Sequence, residues 1–199
     1  MLANTGVRRR LDQARPNRPA PEGSVLDRPA LDRAPLDRPV LDQPALTRPP
    51  LTQARLAELV RLAAATGEWA TLVRYTEDER WYHRLERGEN HEVWLLSWLP
   101  GQRTGFHDHG GSAGAFAVAH GTLDERSAPG GLPSAVAVTL APGSVRSFGP
   151  RYVHDVVNSS TRPAVSVHAY SPPLARMRRY ELTRSGLVLA AVETAGERW

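Results

Sequence analysis

The stretch Gly105-Phe-His-Asp-His-Gly-Gly-Ser-Ala-Gly-Ala-Phe-Ala-Val-Ala-His-Gly121 sets two histidines around one aspartate, then runs into small residues and an apolar alternation. Along a β-strand, side chains two apart share a face. His107 and His109 therefore project together while Asp108 turns away. The chain has only seven histidines, and two on one face form a metal-chelating pair. The alternation that follows, Ala113–Ala119, reads as a half-buried strand.

No cysteine is present, so disulfides and thiolate ligands are excluded and a transition metal must be held by imidazole and carboxylate. Arginine supplies all 25 basic residues, and the net charge is +4. Residues 1–50 hold nine Arg against six acidic residues, and the remaining 149 hold 16 against 15. The excess charge thus sits in the N-terminal segment, and the rest is nearly neutral, which argues against nucleic-acid binding. The opening MLANTGVRRRLDQARP is basic with no apolar run behind it, so it does not read as a secretory signal. No apolar segment approaches the roughly 18 residues needed to span a bilayer. The expectation is a cytoplasmic monomer with neither nucleic acid nor membrane as partner.

From Leu26 the chain repeats in pentads, LDRPA, LDRAP, LDRPV, LDQPA, LTRPP, and nine of its 17 prolines lie in residues 1–50. Proline at that density blocks helix, and one Leu per pentad cannot build a core. Residues 1–50 are expected to be a disordered tail, and residues 51–199 the folded domain. Leu56, Leu59, Val60, Leu62 and Ala63 fall at helical spacing behind Thr52, a residue type that caps helices. A second short helix is expected around Trp69 and Leu72. Alternating segments follow at His91–Leu99, Ala113–Ala119, Ala135–Leu140 and Ala164–Tyr170, separated by Pro-Gly turns, with final strands within Met177–Val192. Many short strands at this spacing predict an antiparallel barrel entered through short N-terminal α-helices.

Downstream lies Gly143-Ser-Val-Arg-Ser-Phe-Gly-Pro-Arg-Tyr-Val-His-Asp-Val-Val-Asn158. With Gly101, His107, His109 and Gly121 upstream, and Gly143, His154 and Asn158 here, the chain resembles the two motifs of jelly-roll cupins. The resemblance implies an all-β jelly-roll barrel with His107, His109 and His154 as metal ligands. Gly114 stands where cupins usually carry a Glu ligand, and Gly149-Pro150-Arg151 replaces the usual Pro-x-Gly. Three neutral imidazoles leave a divalent ion its full charge, which favours an anionic ligand. His83, His91 and His120 lack such context and are not expected to bind metal.

The segment Arg162-Pro-Ala-Val-Ser-Val-His-Ala-Tyr-Ser-Pro-Pro173 is similar to the signature of the thiol dioxygenases, the cysteine dioxygenase family in particular. That family sets a Ser-x-His-x-Tyr row beside a three-His iron, here Ser166, His168 and Tyr170. The resemblance covers about residues 51–175. It implies one Fe(II) per chain, a small thiol and dioxygen as substrates, and conversion of cysteine to its sulfinate. It also places Tyr82 and Arg84 on the strand entering the barrel, with Arg84 pairing with the substrate carboxylate. Animal members join a Cys to the active-site Tyr; the matching position here is Gly114, so Tyr170 must be an unmodified phenol. Two other readings fit the motifs. One is a dioxygenase for another small thiol such as 3-mercaptopropionate, whose relatives tend to carry Gln at the carboxylate position. The other is a zinc-bound cupin acting as a sensor or binding module.

Overall fold

The computed structural model describes residues 48–128 and 134–194. The pentads up to Thr47 lie outside the described residues. Beyond them the chain is tied down at once: the Asn90 side chain donates to the Pro49 carbonyl at 2.5 Å, and the Leu51 amide donates to Ser171 Oγ at 2.8 Å. Helix α1 (Gln53–Ala65) starts at Thr52, whose hydroxyl accepts from the Arg55 amide at 3.3 Å. Gly67, in the left-handed region at φ 73°, turns the chain out of the helix. The second helix expected from the sequence is a single 3-10 turn, Glu68–Thr71, held back on α1 by the Trp69 indole, which donates to the Ala64 carbonyl at 3.0 Å.

Among the described residues eleven strands follow: β1 (Tyr82–Arg87), β2 (Glu92–Trp98), β3 (Phe106–Asp108), β4 (Ala113–His120), β5 (Leu123–Ser127), β6 (Val136–Leu140), β7 (Val145–Phe148), β8 (His154–Val157), β9 (Ala164–Ser171), β10 (Arg176–Thr183) and β11 (Gly186–Thr194). They form two antiparallel sheets, ordered β1-β2-β9-β4-β7 and β11-β10-β3-β8-β5-β6. This is the jelly-roll barrel expected from the sequence. None of the described helices is long and apolar enough to cross a membrane.

The central strand β9 shows how the sequence fills both faces of one sheet. Every residue from Ala164 to Ser171 is buried. Val165, Val167 and Ala169 point outward and pack with Leu56 and Val60 of α1. Ser166, His168 and Tyr170 alternate with them and face the barrel interior, where Trp98, Phe116 and Val156 bring the two sheets together. The helix therefore covers the back of the strand that carries the polar row, and the row can stay inside. The motif glycines serve the turns. At Gly121, φ is +70° and a Cβ would lie 2.6 Å from the Pro163 carbonyl oxygen, so a side chain there would be doubly opposed.

Because Leu56 is completely buried between α1 and β9, Leu56→Ala is expected to cost about 2–5 kcal/mol of stability. Chemical denaturation of the two proteins measures it. A change near zero would mean that α1 does not brace the sheet.

Candidate metal centre and its cavity

His107 lies within β3, His109 just beyond its end, and His154 opens β8; His107 and His154 are direct partners across the two strands. The strand period brings the first pair together, and the antiparallel register brings the third histidine opposite them. One ligand nitrogen from each ring lies within 4.8 Å of the others, and all three rings are buried. It is the one such group of His, Asp or Glu among the described residues. His83, His91 and His120 are elsewhere: His83 stacks on Trp81, His91 bonds Glu86 and Asn90, and His120 lies against Trp69.

The surroundings fix which nitrogen of each ring faces the common point. His107 Nδ1 lies 2.9 Å from the Gly105 carbonyl, an acceptor only, so Nδ1 carries the proton and Nε2 its lone pair. His154 Nδ1 lies 2.9 Å from Glu125 Oε1, which leaves its Nε2 free to bind a metal in the same way. His109 differs. Neither of its ring nitrogens has a hydrogen-bond partner although both are buried. An orphaned buried imidazole is costly unless something accepts its lone pair, and a metal ion at the common point would do so. The ring is held instead by stacking, with Phe148 at 4.8 Å and Tyr170 at 4.9 Å. Burial, and next the neighbouring His154 imidazole, hold His107 and His109 well below the usual histidine range. Both are therefore neutral, the form that binds metal.

Glu125 is a functional candidate that the sequence did not reveal. It is 2% exposed, and its second oxygen accepts from Arg146 Nε at 2.6 Å. Burial alone would raise its carboxyl, but the hydrogen bonds from His154 and Arg146 outweigh that and hold it below the ordinary value. The result is an ionised carboxylate behind His154, placed to orient the ring and raise its basicity toward a metal. Asp108 does turn away, as its place between the histidines requires. It accepts from the Tyr180 phenol at 2.7 Å, the Gly110 amide at 2.8 Å and Arg178 at 3.2 Å, anchoring the ligand strand to β10.

A small cavity opens beside the histidines, lined by His107, His154, His168, Tyr170, Arg80 and Met177 with Leu96, Thr104 and Val156. Ser166, His168 and Tyr170 form the row expected from their period of two: Ser166 Oγ to His168 Nε2 at 2.8 Å, and His168 Nδ1 to Tyr170 Oη at 3.2 Å. Burial raises the Tyr170 phenol well above its ordinary value, so it stays protonated. Gly114 is where it is for steric reasons. A Cβ there would lie 2.4 Å from the Phe148 ring and 3.0 Å from Tyr170. The space that a side chain would fill belongs to the two rings that lie against His109.

The arginine that lines the cavity is Arg80, whereas the sequence pointed to Arg84. Arg84 is exposed on β1, with its guanidinium 5.3 Å from the Trp94 ring. Arg80 is 8% exposed and sits 4.7 Å over Trp98. The reason is register. Tyr82 pairs with Leu96 and Arg84 with Trp94, toward the start of β2, whereas the Trp81 carbonyl meets the Ser97 amide. Arg80 shares the face of Tyr82 and Arg84, but it reaches the deeper level of Trp98. Tyr82 is half-buried, edge-on to Trp94 at 5.9 Å, and is not among the residues lining the cavity. Burial, followed by the nearby Arg179, lowers the Arg80 pKa to about 10, so it remains a cation at neutral pH. No carboxylate among the described residues forms an ion pair with it.

A model of the cysteine dioxygenase type I family matches residues 52–183. The chain belongs to that family. The match takes in all three histidines, the Ser166–Tyr170 row and Arg80. No match is found among curated proteins. Among solved structures, the chain is similar to a Thermus thermophilus protein (24% identity, TM-score 0.48, covering 53% of this chain and 95% of that one). It is also similar to a Klebsiella pneumoniae protein with a double-stranded β-helix domain (20%, 0.46, 61% and 93%). A third is a cupin superfamily protein from Desulfitobacterium hafniense (13%, 0.44, 51% and 85%).

Replacing His107, His109 or His154 singly by Ala is expected to abolish stoichiometric metal retention, while His120→Ala keeps it; elemental analysis after dialysis reads the difference. A histidine whose removal leaves the metal in place is not a ligand. Glu125→Gln keeps an acceptor for His154 but removes the charge, and should weaken metal affinity about 10–100-fold. Competition with a chelator measures it, and unchanged affinity would assign Glu125 to the fold alone.

Proposed function

We propose that this chain is a non-haem iron thiol dioxygenase whose substrate is cysteine, converted to cysteine sulfinate. The observation that supports it best is the charge of the cavity. Three imidazoles converge on one point, a buried guanidinium with no carboxylate partner among the described residues lines the cavity beside them, and no wall residue is acidic. Such a cavity calls for a ligand with two anionic ends, and the thiolate and carboxylate of cysteine supply them.

His107, His109 and His154 would hold Fe(II), which when bound supplies the redox chemistry that lets a thiolate sulfur react with dioxygen. The overall change is balanced without a further reductant: the thiol and O2 give the sulfinate and one proton, both oxygen atoms passing to sulfur. The protein's share is positioning. Arg80 takes the carboxylate with its fork of donors, which orients the thiol toward the histidines. Phe148 and Tyr170 hold His109 in place by stacking. Tyr170, braced by His168, presents its phenol to the bound molecule, and Met177, Leu96 and Val156 keep bulk water out. The family match supports cysteine over other thiols, since Arg80 by itself would serve any thiol bearing a carboxylate.

Oxygen uptake by the Fe(II)-loaded chain with cysteine, cysteamine and 3-mercaptopropionate tests this reading. Cysteine is expected to be the best substrate. Arg80→Ala should lower catalytic efficiency for cysteine roughly thirtyfold or more, the loss expected when one partner of a buried charged pair is removed. Cysteamine, which has no carboxylate, should be poor from the start and lose far less. Arg84→Ala should leave both unchanged. Equal losses for both thiols in Arg80→Ala would make Arg80 structural, and protein that holds zinc and consumes no oxygen with any thiol would support the binding-module reading instead.

A further inference from the structure

A second guanidinium stands beside the cavity. Arg179 lies two residues beyond Met177 on β10 and so shares its face, and Met177 lines the cavity. On β3, the Cα partner of Arg179 is His107. Its Nη1 donates at 3.0 Å to the carbonyl of Thr104, another wall residue, and its Nε donates at 2.8 Å to Glu193 on β11. From this we infer that Arg179 is a specificity-determining residue: its charge, set against the cavity wall and held there by Glu193, favours thiols that carry a carboxylate. The inference deepens the cysteine reading and rests on the carboxylate site of Arg80.

The ion pair is placed with its cation toward the histidines. β10 lies between β3 and β11 in its sheet, so His107 flanks Arg179 on one side and Glu193 reaches it from the other. Glu193 is a diagonal neighbour, since Arg179 pairs with Ala191 and Met177 with Glu193. The Arg179 side chain is 18% exposed and that of Glu193 32%, so the acid is also the more solvated partner and its charge the more screened. Neither residue lines the cavity, and Arg179 therefore acts through its field and through Thr104 rather than by contact. Arg80 does line it, and after burial Arg179 is the strongest influence lowering the Arg80 pKa. A cation that acts on Arg80 acts with the opposite sign on an anion paired with Arg80. Asp155 also acts on Arg80, but it is itself paired with Arg103 and Arg126.

The consequence concerns which thiols are preferred. Two cations bear on one carboxylate, Arg80 by contact and Arg179 at longer range. Their mutual repulsion is relieved when a carboxylate binds. A thiol with an amine and no carboxylate relieves nothing, and the protonated amine is itself repelled. Arg179 thus widens the gap between the two kinds of thiol, and Glu193 sets how wide it is.

Calorimetric titration of the Fe(II)-loaded full-length chain with cysteine and with cysteamine, in the absence of oxygen, reads the preference as the ratio of the two dissociation constants. Arg179→Gln keeps a donor for the Thr104 carbonyl but removes the charge, and should cut the preference for cysteine roughly three- to tenfold. Glu193→Gln keeps an acceptor for Nε but removes the opposing charge, and should raise the preference. Arg179→Lys keeps the cation and should retain most of the wild-type ratio. Opposite shifts in the two Gln variants are the mark of charge, because loss of a merely structural pair would weaken both alike. Unchanged ratios, or a fall in both variants, would overturn the inference. Should Arg179→Gln fail to fold, Glu193→Gln decides alone: an equal or lower preference overturns it. Oxygen uptake separates this result from the oxygenase reading. The predicted shifts in a chain that consumes no oxygen would refute the oxygenase and leave Arg179 its role, whereas cysteine oxidation with one preference in wild type and all variants would do the reverse.

Discussion

Two of the three converging imidazoles, His107 and His154, line with the Arg80 guanidinium a small cavity whose walls carry no carboxylate, and the proposed chemistry depends on that imbalance. Charges a few Å apart in a protein interact by about 4 kcal/mol even at an effective dielectric constant near 20. A divalent ion held by the three histidines would repel Arg80, and an anionic ligand would relieve that repulsion. The absence of a carboxylate at position 114 contributes directly. A side chain there would occupy the room of Phe148 and Tyr170, and an acidic ligand would cancel part of the charge that draws substrate in.

The fold sustains this imbalance by separating what faces each side of a strand. In β9 the apolar alternates pack under α1 while the polar alternates line the barrel. Around β3, His107 and His109 face the common point of the three histidines and Asp108 faces β10, where Tyr180 and Arg178 meet it. Acidic groups are not absent from the neighbourhood; they are held one layer back. Glu125 stands behind His154, and Asp155 lies within a cluster formed by Arg103, Arg126 and Thr104. Neither is among the residues lining the cavity.

What could be read from the sequence is what period two and a single residue type convey together. His107 and His109, and likewise Ser166, His168 and Tyr170, announce a shared face by spacing alone, while what each face does is read from the resemblance to a family. Arg80 escaped because period two marks a face but not a depth: Arg80, Tyr82 and Arg84 are equivalent until the register with β2 shows which lies level with Trp98. Glu125 escaped for a different reason. In Leu123-Asp-Glu-Arg-Ser127 it reads as a solvent-facing edge, and only pairing with β8 reveals that it is buried against His154. Trp98 lies in the alternating segment His91–Leu99, but its hydrogen bond to Ser166 joins residues 68 apart and has no mark in the sequence.

The central claim is that an anionic ligand bridges the three-histidine point and Arg80. The most direct measurement is a crystal structure of the iron-loaded chain soaked with cysteine in the absence of oxygen. The account predicts the sulfur at the metal and the carboxylate within hydrogen-bond distance of the Arg80 guanidinium. A carboxylate turned to solvent, or paired with Arg84 while Arg80 stays unengaged, would contradict it.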